Sequence, residues 1–317
     1  MGIRKDNYVE YTARYVARGF QQINGVDYNT GETFSPTLKM QSIKIVLSIA
    51  ANRDLEIHQM DVKTAFLNAH LNENVYIEQP EGYRESGRNG ERLIWSLNKA
   101  LYGLKQSARA WYDTAHKILV ARLGFVRINS EHGLYVYDNK VAGVYCLLPL
   151  YADDMLIACN NMNYLKKLKK TINNIWKVKD MNEVSTILGL TIQRDRTNKT
   201  IYLHQKNYID KIVGYCFYDI NDRMCPNDDS ERNKMNQIPY RKVVGALIYL
   251  THTRPDITYA VQQICKYMHN PGRAHWSAVR RIVKYIKQTR HYKLTIDGHQ
   301  PLVLVLVSRQ FVSAMVM

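Results

Sequence analysis

The chain has 317 residues, with 44 lysines and arginines against 28 aspartates and glutamates, a formal net charge of +16. Hydrophobic residues make up 46%, enough for a buried core, so wholesale disorder is excluded and roughly two domains are expected. No apolar run approaches the roughly 20 residues of a membrane helix. The N-terminal stretch MGIRKDNYVEYTARY lacks the apolar core of a signal peptide. An intracellular chain with no membrane partner is therefore expected. Cys146, Cys159, Cys216, Cys225 and Cys265 include no CxxC pair, which suits a reducing compartment and free thiols. The positive excess points to a polyanion, with nucleic acid first, because clustered Lys and Arg release counterions from phosphates.

In chain order, Ile43, Val46, Leu47 and Ala50 recur at helical spacing and predict an amphipathic helix over Leu38–Arg53. Leu55–Val62 alternates and predicts a strand running into a turn, with a short helix at Thr64–Asn68. Val75–Glu78, closed by Gln79-Pro80-Glu81-Gly82, and Leu93–Leu97 read as hairpin partners. Leu104, Ala108, Trp111, Ala115, Ile118 and Leu119 predict one long helix over Leu101–Leu123, stopped by Gly124. Strands are predicted next at Leu134–Tyr137, Val144–Leu148 and Met155–Ala158, with Tyr151-Ala152-Asp153-Asp154 at a hairpin tip. A lysine-rich helix spans Tyr164–Trp176, and Thr186–Ile192 and Thr200–Leu203 read as strands. After a polar stretch at Asn221–Gln237, helices are predicted at Tyr240–Thr251, Ile257–His269 and His275–Thr289. The order suits an α+β sheet with helices on one face, the strands near 57–61, 144–150 and 155–158 being neighbours as in a split βαβ arrangement.

Three acids carry the chemistry. Asp61 ends one strand, and Asp153 and Asp154 sit in a turn much later in the chain. If adjacent strands bring them together, they repel one another unless a cation is present. Mg²⁺ takes oxygen ligands and keeps positions open for substrate phosphates. Two such ions about 4 Å apart form a phosphoryl-transfer clamp. A bare Asp-Asp is also a common turn sequence, because Asp bonds its own backbone.

The motifs Gln59-Met60-Asp61-Val62-Lys63-Thr64-Ala65-Phe66-Leu67-Asn68, Leu101-Tyr102-Gly103-Leu104-Lys105-Gln106-Ser107 and Tyr151-Ala152-Asp153-Asp154-Met155-Leu156 stand in this order. With them come Phe34-Ser35-Pro36, Leu188-Gly189, Thr253-Arg254-Pro255-Asp256 and Asn270-Pro271-Gly272. Together, from Arg14 to Thr289, they resemble the reverse transcriptases of copia-type retrotransposons. The resemblance implies an α+β right-hand polymerase. It would have a palm built on a ferredoxin-like split βαβ sheet, truncated fingers and a helical thumb- or connection-like C-terminal region. The implied layout is fingers and palm over 1–220, a linker over 221–237, a basic helical region over 238–292 and a divergent tail over 293–317, with no RNase H domain. The implied activity is RNA-directed DNA synthesis from dNTPs on a template-primer with two Mg²⁺ ions, Mn²⁺ being the alternative ion. The implied setting is a cytoplasmic virus-like particle or the nucleus.

Residue by residue, the resemblance makes Asp61, Asp153 and Asp154 the catalytic acids, with Asp61, Asp153, Asp154 and the Val62 carbonyl as metal ligands. Phe66 is similar to the steric gate that excludes a ribose 2′-OH. Gly103, Lys105 and Gln106 would lie beside the incoming base pair, and Arg14 and Arg18 beside the triphosphate. Leu188-Gly189 resembles the primer grip. Ala108 and Ala152 stand where the family has Pro and Val. Pro149, in the strand leading to Asp153, is expected to cost a ladder hydrogen bond. A catalytically decayed nucleic-acid-binding remnant is the alternative, and a metal-dependent nuclease a weaker one.

Between Ile257 and Ile296 there is no Asp or Glu, whereas Lys266, Arg280, Arg281, Lys284 and Lys287 lie there among Tyr259, Tyr267, Tyr285 and Tyr292. On the last helix Trp276, Val279, Ile282, Val283 and Ile286 form the expected buried face, which turns cations outward as a phosphate-tracking surface. A plain solvated helix face is the alternative.

Overall fold

The computed structural model describes residues 2–5, 8–11, 13–215, 235 and 238–299. Apart from Met235, the expected linker lies outside these residues, as do Cys216, Cys225 and the tail from residue 300 onward. Of the described residues, 2–43 with 56–183 form one compact unit and 44–55 with 184–299 another.

In the first unit, strands β1 (Gly2–Lys5) and β2 (Tyr8–Tyr11) make a ribbon. Helix α1 (Met40–Asn52), whose residues from Lys44 onward belong to the second unit, precedes β3 (Glu56–Val62). A 3₁₀ turn at Ala65–Asn68 leads to the hairpin β4 (His70–Glu78) and β5 (Ile94–Lys99). Then come α2 (Ser107–Ala121), β6 (Val126–Ile128), β7 (Glu131–Asn139), β8 (Val144–Tyr151), β9 (Asp154–Cys159), α3 (Met162–Ile175) and β10 (Val178–Glu183). The main sheet is antiparallel in the order β10-β3-β9-β8-β7-β6. Its first four strands with α2 and α3 make two interlocked split βαβ units, the expected arrangement.

Period-2 alternation sorts β3 into two faces. Met60 and Val62 join Met155 and Ile157 of β9, Trp111, Ala115 and Leu119 of α2, and Leu165, Leu168 and Ile172 of α3 in one core. Ile57, Gln59 and Asp61 therefore point to the face away from these helices. Asp61 is paired across the ladder with Asp154.

Three features of the first unit bear on what the sequence led one to expect. Helix α2 starts at Ser107 rather than near Leu101, because Gly103 takes a left-handed φ of 96° that no helix continues through. Ser107 Oγ closes the loop by donating to Leu101 O at 2.6 Å. Strand β10 has no apolar alternation to announce it. It is an exposed edge strand held by its ladder to β3. Pro149 does sit inside a central strand. The β8–β9 ladder pairs Leu147 with Ala158 and Leu150 with Met155 in the same register, so the proline is absorbed without a slip.

The second unit holds a four-stranded antiparallel sheet, β11 (Thr186–Ile187), β12 (Leu190–Asp195), β13 (Thr200–His204) and β14 (Leu294–Asp297). The run Thr186–Ile192, expected as one strand, folds back at Leu188-Gly189. Its helices are α4 (Lys206–Tyr215), α5 (Tyr240–Leu250), α6 (Thr258–Cys265) and α7 (Arg273–Gln288). Trp276, Val279, Ile282, Val283 and Ile286 of α7 are buried as their spacing predicts. They share a core with Ile209, Val244, Leu247 and Ile264. No helix among the described residues is long and apolar enough to cross a membrane.

Candidate active site

The acids are placed by a two-residue hairpin. Tyr151 pairs with Asp154, leaving Ala152 and Asp153 at the tip. Ala152 adopts φ 51°, a left-handed conformation that costs a Cβ-bearing residue roughly 1–2 kcal/mol. Two bonds hold this turn. Trp111 Nε1 on α2 donates to Ala152 O at 2.7 Å, and Val62 N–H donates to Asp153 O at 2.9 Å. The strained turn is thus fixed to the end of β3, and the three acids share one sheet edge.

Their charges interact. Burial first, then the Asp153 charge, pushes the Asp61 carboxyl above its ordinary value, against the pull of Lys179 and Lys63. Lys179 is the ladder partner of Asp61 on its other side. Asp154 is also raised, by burial first, with Asp153 and Asp61 adding to it. Gln59 Nε2 opposes this by donating to Asp154 Oδ1 at 3.0 Å. Gln59 is 4% exposed and on the same face of β3 as Asp61, so it orients Asp154. As a neutral amide it carries no signal of its own in the sequence.

Phe66 and Tyr102 form the adjacent wall, with ring centroids 4.6 Å apart. Arg14 lies over the Tyr102 ring, its guanidinium carbon 4.7 Å from the centroid. The Tyr102 hydroxyl accepts from Ala65 N–H, and burial and then the Asp153 charge push its pKa up. Tyr102 is the second functional residue that sequence reasoning missed. An aromatic within a matching motif is its only signal. Phe66 also lines a cavity of about 340 Å³ with Phe34, Pro36, Trp111 and Ala152.

The other expected nucleotide contacts divide. Arg18 lines a separate cavity with Tyr76, Glu78 and Arg84, whereas Arg14 sits over Tyr102. Gly103 is required where it stands. A Cβ there would run into the carbonyl oxygen of Ala17, whose N–H donates to Tyr102 O at 2.7 Å. Gln106 is 3% exposed and commits its amide to Asp27 O at 2.8 Å and Gln22 at 3.0 Å. Lys105 donates to Tyr28 Oη at 2.9 Å. Gln106 thus acts by holding the 22–28 segment against the loop.

In the second unit, Leu188 (φ 46°) and Gly189 (φ 75°) form a tight turn, and Tyr249 Oη of α5 donates to Leu188 O. On α7, Arg281, Lys284 and Lys287 are exposed along one side, Arg280 half-buried, and Lys266 exposed at the end of α6. Arg254 is 2% exposed and grips Asp256 through two bonds, of 2.9 and 2.7 Å. It also donates to Thr289 O at 3.0 Å, which fixes the end of α7.

Among the described residues no three His, Cys, Asp or Glu side chains are gathered as a ready-made metal cage. The donor set still fits Mg²⁺. That ion typically takes one or two carboxylates and completes its shell with water and substrate phosphates. Two carboxylates raised first by burial and then by the neighbouring Asp153 charge are oxygen donors that a cation would relieve.

Residues 3–226 match the family model described as reverse transcriptase (RNA-dependent DNA polymerase). The chain belongs to this family. The chain is similar to the retrovirus-related Pol polyprotein from transposon TNT 1-94 of Nicotiana tabacum, at 36% identity over 93% of this chain and 23% of that one. It is also similar to the Pol polyprotein from transposon RE1 of Arabidopsis thaliana, at 37% identity over 89% of this chain and 19% of that one. A putative transposon Ty5-1 protein of Saccharomyces cerevisiae is 31% identical over 73% of this chain and 76% of its own length. The chain thus spans between 19% and 23% of the two plant polyproteins. It is a reverse transcriptase region of the retrotransposon Pol kind, as its motifs imply.

Proposed function

We propose that this chain is the polymerase region of a retrotransposon Pol protein and adds dNTPs to a primer 3′ end on a nucleic-acid template. The observation that carries the reading is the ladder pairing of Asp61 with Asp154, with Asp153 at the adjoining tip. In this reading the main sheet with α2 and α3 is the palm, the segment around Arg14 with the β4–β5 hairpin belongs to the fingers, and the helical part of the second unit is thumb-like.

Asp61, Asp153 and the Val62 carbonyl would hold Mg²⁺, which supplies charge neutralisation on the phosphates and lowers the pKa of the primer hydroxyl. The chain's own residues do the positioning. Gln59 holds Asp154, and Trp111 holds the turn. Phe66, braced by Tyr102, presents a ring edge where a ribose 2′-OH would stand. Arg14, seated on Tyr102, places a cation within reach of a triphosphate. The Leu188-Gly189 turn would seat the primer end, and Arg281, Lys284 and Lys287 would track the backbone of the duplex.

Primer extension on an RNA template with Mg²⁺ and dNTPs tests this. Asp153→Asn should lower the rate at least about 100-fold while leaving the far-UV spectrum and template binding intact. Undiminished extension by that variant would refute the assigned role. The undisturbed register around Pro149 favours this reading over a decayed remnant, which would bind nucleic acid in a salt-sensitive way without extending a primer.

A further inference from the structure

Two of the five cysteines, on the two strands of one hairpin, face each other. Cys146 of β8 and Cys159 of β9 are ladder partners at the end of the hairpin opposite the Ala152-Asp153 turn. Both are free thiols and both are 0% exposed. The kind of pair is set by the ladder. Asn160 N–H donates to Tyr145 O at 3.1 Å, so Tyr145 and Asn160 are a hydrogen-bonded pair. Pairs alternate in an antiparallel ladder, so Cys146 and Cys159 occupy the non-hydrogen-bonded kind, where Cα atoms lie about 4.5 Å apart and side chains are closest. A disulfide spans Cα separations of about 4.4–6.8 Å. The two side chains also lie on one face, since ladder partners do.

The two thiols are not equivalent. The Cys146 thiol donates to Cys159, which pulls Cys159 down to about 7. Backbone N–H groups of Asn160 and Asn161 add to this pull, against burial. The same bond and burial push Cys146 up. Cys159, whose thiol donates to Asn161 O at 3.5 Å, is therefore the more readily ionised of the two and Cys146 the resolving partner.

We propose that Cys146 and Cys159 are a dithiol modification site that closes to an intramolecular disulfide when a low-molecular-weight disulfide such as oxidised glutathione reaches it. The Cys159 thiolate attacks one sulfur of the small disulfide and expels the other as a thiolate. That thiolate takes the Cys146 proton. The Cys146 thiolate then attacks the Cys159 sulfur and expels the second small thiolate, which takes up the proton that Cys159 released to solvent on ionising. The protein pair loses two electrons and two protons, and the small disulfide becomes two thiols. Because both sulfurs are buried, reaction passes through local opening of the β8–β9 end beside α3. The bond closes a loop of about 15 residues around Asp153 and Asp154, so the unfolding constant should fall on the order of 100-fold.

The test is incubation of the folded chain with oxidised glutathione, in buffer and in urea below the unfolding transition, followed by alkylation and peptide mass mapping. The expected product is a Cys146–Cys159 crosslinked peptide, with the urea midpoint raised and dithiothreitol restoring the original. Cys146→Ser should instead leave Cys159 glutathionylated, and Cys159→Ser should leave neither residue modified. Cys146 and Cys159 both remaining reduced, while half-buried Cys265 is glutathionylated, would overturn the proposal. So would a crosslink pairing either residue with a different cysteine. The wild-type measurement decides the matter even if a serine variant fails to fold.

Discussion

One tight hairpin turn in the first unit and one in the second are built alike. In the first unit Ala152 is left-handed, and Trp111 Nε1 of α2 donates to its carbonyl. In the second, Leu188 is left-handed, and Tyr249 Oη of α5 donates to its carbonyl. In both cases a Cβ-bearing residue sits where glycine is favoured, and an aromatic donor from a helix of the same unit over-determines it. They differ at the next residue. After Leu188 comes Gly189, which relieves the strain at φ 75°. After Ala152 comes Asp153, whose side chain is a proposed ligand. The first turn keeps a carboxylate at its second position, where the backbone is not left-handed, whereas the second turn is left-handed there and uses glycine.

The largest effect that sharpens this contrast is expected at the supports. Trp111→Phe removes the donor to Ala152 O and leaves a gap in a core where Trp111 meets Trp176 at 5.2 Å. A loss of about 2–3 kcal/mol in urea unfolding is expected. A greater loss of primer extension than of template binding should accompany it. Tyr249→Phe removes only a hydroxyl and should cost about 1 kcal/mol. Equal costs for the two would break the comparison.

Gly189→Ala comes next. Its Cβ would lie 3.0 Å from Tyr249 Oη at a left-handed φ, so about 1–2 kcal/mol is expected to be lost. Ala152→Gly should fall within about 1 kcal/mol of neutral, since relieved strain is offset by the freer unfolded chain.

The smallest effect is a pH dependence specific to the first turn. Asp61 and Asp154 both have folded-state pKa values above their ordinary ones. The folded chain therefore holds protons that the unfolded chain has released. In metal-free buffer its stability should fall as pH rises from the ordinary carboxylate range through the folded-state values. Urea midpoints measured across that range should show this slope, and Asp154→Asn should flatten it. A slope of opposite sign would mean that the acids are stabilised by Lys179 and Lys63 rather than strained by one another.

Much of the first unit was legible in the sequence. Alternation in Leu55–Val62 and the apolar flanks of Tyr151–Asp154 gave β3, β9 and the tip, and in the second unit helical spacing gave the buried face of α7. What was not legible depends on partners rather than on local pattern. Strand β10 is polar and exists through its ladder to β3. The start of α2 depends on Gly103, whose left-handed φ periodicity cannot register. Gln59 and Tyr102 became visible as site residues only when the register put one against Asp154 and the other against Phe66. The Cys146–Cys159 pair likewise needs the β8–β9 register, since spacing along the chain carries no hint of it.

Gly19 and Gly103 meet back to back, since a Cβ on Gly19 would run into the Gly103 carbonyl, and one on Gly103 into the Ala17 carbonyl. In each case the obstacle is main chain, which no second-site change can trim. Neither position can drift with the other's help, so the contact is an evolutionary dead end for both codons. A side chain at either site should therefore unseat the Arg14 segment while leaving the core of the main sheet packed.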